Sequence, residues 1–116
     1  MLVQRAIHPG YGKWALPGGF VEPEEAPDDA ARREASEEAN VEVSIENLIG
    51  VYRAGAESDV IVVVYGGEVV SGTPSPGDEA LRIGLFPPQG LPWEDLAFPA
   101  TRAALSDYVA GAGLTT

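Results

Sequence analysis

An α/β sandwich, with a mixed sheet between two helices, is the fold class this sequence predicts, and three observations predict it. Residues 27 to 39 carry a helical pattern, followed at once by the alternating apolar run Val41, Val43 and Ile45. Segments rich in β-branched or apolar residues recur at Leu48–Tyr52, Val60–Val70 and Leu81–Phe86. A second helical pattern, Ala97–Val109, closes the order. Strands bracketed by two helices bury their faces best as stacked layers around one core.

The elements can be justified in turn. Leu2-Val3-Gln4-Arg5 has strand character, and His8-Pro9-Gly10-Tyr11-Gly12 is turn chemistry. Trp14-Ala15-Leu16 is a short apolar segment stopped by Pro17-Gly18-Gly19, where two glycines open conformations closed to other residues and let a backbone carbonyl approach a ligand. The first helix starts near Ala26-Pro27, with proline in the first turn and Asp28 and Asp29 at the positive end of the dipole. Asn40 suits a left-handed C-terminal cap, which sets the helix at residues 27 to 39. Gly66-Gly67 marks a bulge or irregularity within the Val60–Val70 strand. Ser71 to Asp78, with two glycines and two prolines, is a loop. Leu105, Tyr108 and Val109, with Ala104 beside them, fall at helical spacing in the closing helix, and Ala110 to Thr116 reads as a tail.

Composition bounds what the chain can do. Its 116 residues make one domain with a single core. There are 18 acidic and 7 basic residues, a net charge of -11. Eight acids against two arginines between Glu22 and Glu38 contribute -6 of it. Such a surface repels a nucleic-acid backbone and an anionic membrane and favours a cation. With no cysteine, disulfides, thiol catalysis and zinc knuckles are excluded. Met1 to Ala6 carries no apolar run of the length a secretory leader needs. The longest such run, Val60 to Tyr65, is too short to cross a bilayer, so a cytoplasmic location is expected. A serine–histidine triad would have to use the one histidine, His8, which sits in a turn without a nucleophile elbow. Pro17-Gly18-Gly19 lacks the lysine of a phosphate-binding P-loop. Trp14 and Trp93 are assigned to packing.

The chemistry concentrates on the first helix. At about 100° per residue, Glu34, Glu37 and Glu38 share one arc, and Ala31, Ala35 and Ala39 occupy the next. Small alanines let the helix lie close to the sheet, which shelters the three acids at the edge of the contact. Like charges at spacings of three and four cost a few tenths of a kcal/mol per pair, and shelter raises the cost. A bound divalent ion removes the conflict. The plain alternative is a solvated acidic face, with Arg33 pairing with Glu37 one turn on.

The spacing decides between them. Gly19, five residues, Glu25, seven residues, then Arg33-Glu34-Ala35-Ser36-Glu37-Glu38-Ala39-Asn40-Val41 resembles the signature of the Nudix hydrolases, and Trp14 to Phe20 resembles the lead-in that family commonly has. The chain departs at Asn40, where the family pattern has glycine, and Ala35 is small for an aliphatic position. The resemblance implies a Nudix α/β/α sandwich whose first strand is truncated, since members usually have a complete strand before the residues matching Leu2 to Arg5. A sheet lacking an outer strand exposes unpaired backbone groups, so a homodimer that covers them is expected.

The resemblance also implies roles. Glu34, Glu37 and Glu38 would hold Mg²⁺ or Mn²⁺ with the carbonyl of Gly19, Arg33 would orient the acidic face, and Glu25 would brace the loop. Hydrolysis of a diphosphate linkage in a small nucleoside diphosphate derivative follows, with Glu38 or Glu79 as the final base. Arg5 is a candidate for a phosphate, and Phe20 and Tyr52 for stacking on a base. Pro76-Gly77-Asp78-Glu79, Leu85-Phe86 and Leu91 to Pro99 resemble a Nudix subgroup with an N-terminal zinc ribbon, absent here, which is associated with ADP-ribose and FAD. The alternatives are a pyrophosphatase that sanitises nucleoside triphosphates, and a module that binds metal or nucleotide with little turnover.

Overall fold

The structure, a computed structural model, describes the backbone of residues 1–114 and the side chains up to residue 111. Its order is β1 (Leu2–Arg5), β2 (Trp14–Ala15), α1 (Pro27–Ala39), β3 (Glu42–Arg53), β4 (Ile61–Ser71), β5 (Ala80–Gly84) and α2 (Pro99–Leu114), with two 3₁₀ turns, Pro88–Gly90 and Trp93–Asp95, before α2.

The strands pair as two antiparallel sheets, β2-β1-β5 and β3-β4. The mixed character resides in one isolated parallel bridge, Trp14 with Leu96. Alternation along β1 explains how this sheet serves two helices. Leu2 is buried with Trp14 and Leu105 of α2, a cluster completed by Leu16, Phe86, Leu91, Trp93 and Leu96. Met1 faces the other way, with Ile83, against Ala35, Ala39, Val41 and Val43. The two helices therefore cover opposite faces, which is the α/β/α layering expected of the sequence. Both tryptophans pack as assigned, Trp14 edge-on to Phe86 with ring centroids 5.0 Å apart.

Three elements differ from the sequence reading. The run expected from Val41 to Ile45 and the one from Leu48 to Tyr52 join, from Glu42 on, into one long strand, β3, interrupted by register shifts. At one shift Ile45 pairs with Gly67 and Asn47 with Gly66, so the extra residue, Glu46, lies on β3 opposite the glycines and not among them. A Cβ at Gly67 would collide with the Ser44 carbonyl oxygen, so glycine is there to permit close approach. The closing helix starts at Pro99 and continues through Leu114. The tail expected at 110–116 is thus helical as far as residue 114, and Thr115 and Thr116 lie outside the described residues.

The short β1 is not an edge. It lies between β2 and β5, pairing with both, so the backbone exposure expected of a truncated outer strand does not arise at β1. Among the described residues no helix is long and apolar enough to cross a membrane.

Candidate active site

α1 begins and ends where its sequence dictates. Pro27 occupies the first turn, and Asn40 caps the other end in the left-handed conformation, φ 56° and ψ 38°, with its N–H donating to the Ser36 carbonyl. The helix buries Ala30, Ala35 and Ala39, with Ala31 only half-buried. Packing this face brings Glu34 and Glu38 to the margin of the contact, half-buried, while Glu37 is exposed. Shelter thus reaches two of the three acids, because the arc is wide enough to carry Glu37 out into water.

Arg33 organises the cluster. Its Nε and Nη2 donate to the two carboxylate oxygens of Glu25 at 2.8 and 3.0 Å, a bidentate pair. Nη1 donates to Glu34 at 2.9 Å and to Glu37 at 3.3 Å, and Nη2 also reaches the Phe20 carbonyl at 3.1 Å. Glu22 stands 3.8 Å away, a further partner that the sequence reading missed. One guanidinium therefore joins the loop before α1 to two acids on the helix. The Arg33 hydrogen bonds, then a bond from the Glu22 N–H, hold the Glu25 carboxyl down at about 2. Glu25 braces the loop, as expected.

Glu38 has the opposite surroundings. Burial pushes its carboxyl up to about 7, the charges of Glu34 and Glu79 act in the same direction, and the Gly18 N–H and Arg5 oppose them. That N–H donates to Glu38 at 2.6 Å, a contact that no residue pattern announces because every backbone amide is identical in sequence. A carboxyl poised near neutrality inside an acidic cluster is suited to exchange a proton or to take up a cation.

Gly19 is glycine for a different reason from the one expected. Positive φ among glycines occurs at Gly10, Gly12 and Gly72, not at Gly18 or Gly19. A Cβ at Gly19 would instead lie 2.5 Å from a Glu34 carboxylate oxygen, so the small residue lets the backbone lie against that acid.

The remaining candidates separate. Glu79 is exposed, with its backbone carbonyl held by the Ala6 N–H at 3.0 Å, and its charge bears on Glu38. Arg5 donates from Nε to the Pro9 carbonyl at 2.7 Å and its guanidinium carbon lies 4.8 Å from the Phe98 ring centroid, so the charged group itself is held there, and its charge acts on Glu38 without a direct contact. Phe20 exposes 80% of its surface beside the cluster. Tyr52 is not brought to the acids: its hydroxyl donates to Asp107 of α2 at 2.6 Å, and burial, with that bond, pushes it up to about 12. It lines a separate shallow cavity of about 390 Å³ with Arg53, Pro99 and Ala100.

The donors fit a hard divalent cation in kind: three carboxylates on one helix face, beside a glycine loop whose Cβ would fill the space next to Glu34. Each acid gives one oxygen to Arg33 or Gly18, and among the described residues the other forms no hydrogen bond. As the side chains stand, no three acidic groups among the described residues are arranged to hold one ion, because Glu34 and Glu37 converge on the Arg33 guanidinium instead. Taking up a cation requires these carboxylates to turn about their own bonds.

Comparison with known proteins bears on this site. A NUDIX domain family model matches residues 1–108. An ADP-ribose pyrophosphatase from Methanocaldococcus jannaschii is 34% identical over 112 residues, which cover 94% of this chain and 64% of that protein. The crystal structure of a NUDIX hydrolase from Nitrosomonas europaea superposes with a TM-score of 0.87 at 37% identity, covering 94% of this chain and 61% of that one. A MutT NUDIX hydrolase from Burkholderia pseudomallei gives 0.78 at 32% identity, covering 91% and 84%. The chain thus spans less than two thirds of the first two relatives. Matched over residues 1–108 and superposing at these scores on solved members, the chain belongs to the NUDIX domain family.

Proposed function

We propose that residues 1–116 form one hydrolase domain that cleaves a diphosphate linkage in a nucleoside diphosphate derivative, with ADP-ribose as the first candidate and FAD as the second. The observation that carries this reading is the cluster in which Arg33 ties Glu25, Glu34 and Glu37 together while Glu38 sits half-buried against Gly18. The similarity to an ADP-ribose pyrophosphatase supports the substrate class. Glu34, Glu37, Glu38 and the Gly19 carbonyl would hold Mg²⁺, or Mn²⁺ in its place. Such an ion supplies charge neutralisation at the diphosphate and lowers the pKa of a bound water. The chain's own residues do the rest. Arg33 keeps the acidic face oriented, Glu38 or Glu79 accepts the proton of the attacking water, and the exposed Phe20 is free to stack on a base. Arg5 lends positive charge on the side of Glu38, and Tyr52 is assigned to the contact with α2.

A hydrolysis panel of ADP-ribose, FAD, NADH and oxidised dGTP with Mg²⁺, run beside Glu37→Gln, tests this. Turnover of ADP-ribose or FAD that falls at least about tenfold in the variant is expected. Preference for oxidised dGTP would move the assignment to a triphosphate sanitiser. No turnover of any compound would favour the binding module, a reading that draws on the carboxylates being turned toward Arg33.

We also propose a cytoplasmic homodimer. With β1 paired on both sides, the surface that favours association is the β3–β4 pair, where Leu48, Val51, Ile61 and Val70 are each more than half exposed. Light scattering at micromolar concentration is expected to give twice the chain mass, and a monomer would refute it.

A further inference from the structure

The loop from Gly72 to Glu79 lies across the C-terminal end of α1, and the contacts are specific. The Ser75 N–H donates to the Ala39 carbonyl and the Gly77 N–H to the Glu38 carbonyl, each at 3.0 Å, satisfying two of the free carbonyls that end a helix. A Cβ at Gly72 would lie 2.8 Å from the Asn40 carbonyl oxygen, and one at Gly77 would collide with that of Glu37, so the loop backbone sits directly on the helix end. The Asn40 side chain completes this seat. Its Nδ2 donates to the Ser75 carbonyl at 3.1 Å, the Ser75 hydroxyl at 3.2 Å and the Pro76 carbonyl at 3.4 Å, two hydrogens shared among three acceptors.

A left-handed cap alone does not call for this amide. Glycine adopts φ 56° at no steric cost and would end the helix as well. What asparagine adds is a fastening for the segment that leads to Glu79, whose own carbonyl is tied to Ala6 at 3.0 Å. We propose that Asn40 is a positioning residue, whose side-chain amide clamps the 72–79 loop to the end of α1 and so delivers Glu79 beside Glu38. This rests on the reading that Glu79 acts in the site.

Asn40→Gly separates the two roles, because it keeps the cap and removes the clamp. With the panel compound turned over fastest, kcat is expected to fall about tenfold with KM changed less than about twofold, since a misplaced group costs rate more than binding. Amide exchange at Ser75 and Gly77 should accelerate by about tenfold or more while α1 stays protected. Circular dichroism and the thermal midpoint confirm folding. In a Glu79→Gln background the same substitution should cost nothing further in kcat, because both changes act through one carboxylate. Unchanged kcat in folded Asn40→Gly, unchanged loop exchange, or an equal loss in both backgrounds would each overturn the proposal. A Glu79→Gln variant that alone matches the parent overturns the reading of Glu79 and the positioning role with it. Accelerated loop exchange in that case would identify Glu79, and not the clamp, as the point of failure.

Discussion

Glu38→Gln is expected to lower kcat by about 10²- to 10⁴-fold, the range associated with a positioned acid–base group, while making the metal-free protein more stable. The two effects have one origin. Burial pushes the folded-state carboxyl from 4.5 up to about 7, so the stability this group contributes is full below 4.5 and is lost as the pH rises through about 7. At pH 8 the folded protein carries a sheltered charge that the Gly18 N–H and Arg5 compensate only in part. Glutamine has the same shape, keeps an oxygen for the Gly18 N–H, and carries no charge. Removing that charge should stabilise the protein by about 1 kcal/mol once solvent screening of a half-exposed group is allowed for. Thermal unfolding in chelator at pH 8, beside turnover with Mg²⁺, checks both. A variant that loses activity and stability together would show Glu38 to be a structural residue.

Arg33→Ala carries the second large effect, expected to be a loss of about 10²-fold in kcat, as when a reacting group is displaced by about 1 Å. Without the guanidinium, Glu25 loses its bidentate partner, Glu34 and Glu37 repel one another, and the Phe20 carbonyl is released. The pH dependence of stability should change as well. The Glu25 carboxyl is depressed to about 2 by Arg33, so its contribution is full above 4.5 and is lost as the pH falls toward 2. The parent should therefore lose thermal stability across that window, and Arg33→Ala should be less stable at pH 7 with a flatter acid limb. Arg33→Lys is expected to rescue little, since an ammonium cannot match the two-pronged contact. A parallel acid limb in parent and variant would count against the network.

Much of the fold follows from local chemistry. The helix bounds at Pro27 and Asn40 needed only the fixed φ of proline and the tolerance of asparagine for the left-handed region. The merging of two apolar segments into β3 was not legible, because Glu46 and Asn47 look like a break and only pairing with β4 turns that break into a bulge. The central place of β1 was equally hidden, since sheet order is a property of contacts remote along the chain.

By itself, the sequence determined which residues gather beside one another: Glu25, Arg33, Glu34, Glu37 and Glu38 stand at a spacing that a single helix and its preceding loop must bring to one side. Only the tertiary structure decided what distinguishes them. Burial raises Glu38 while Arg33 lowers Glu25, and identical side chains therefore shift in opposite directions. It also decided that Gly19 yields space to Glu34 and that Tyr52 of β3 donates to Asp107 of α2. It set the Asn40 amide against a loop that begins 32 residues later in the chain, at Gly72. The physical reason is that charge state and contact depend on neighbours folded in from elsewhere, whereas helical spacing is fixed by the backbone alone.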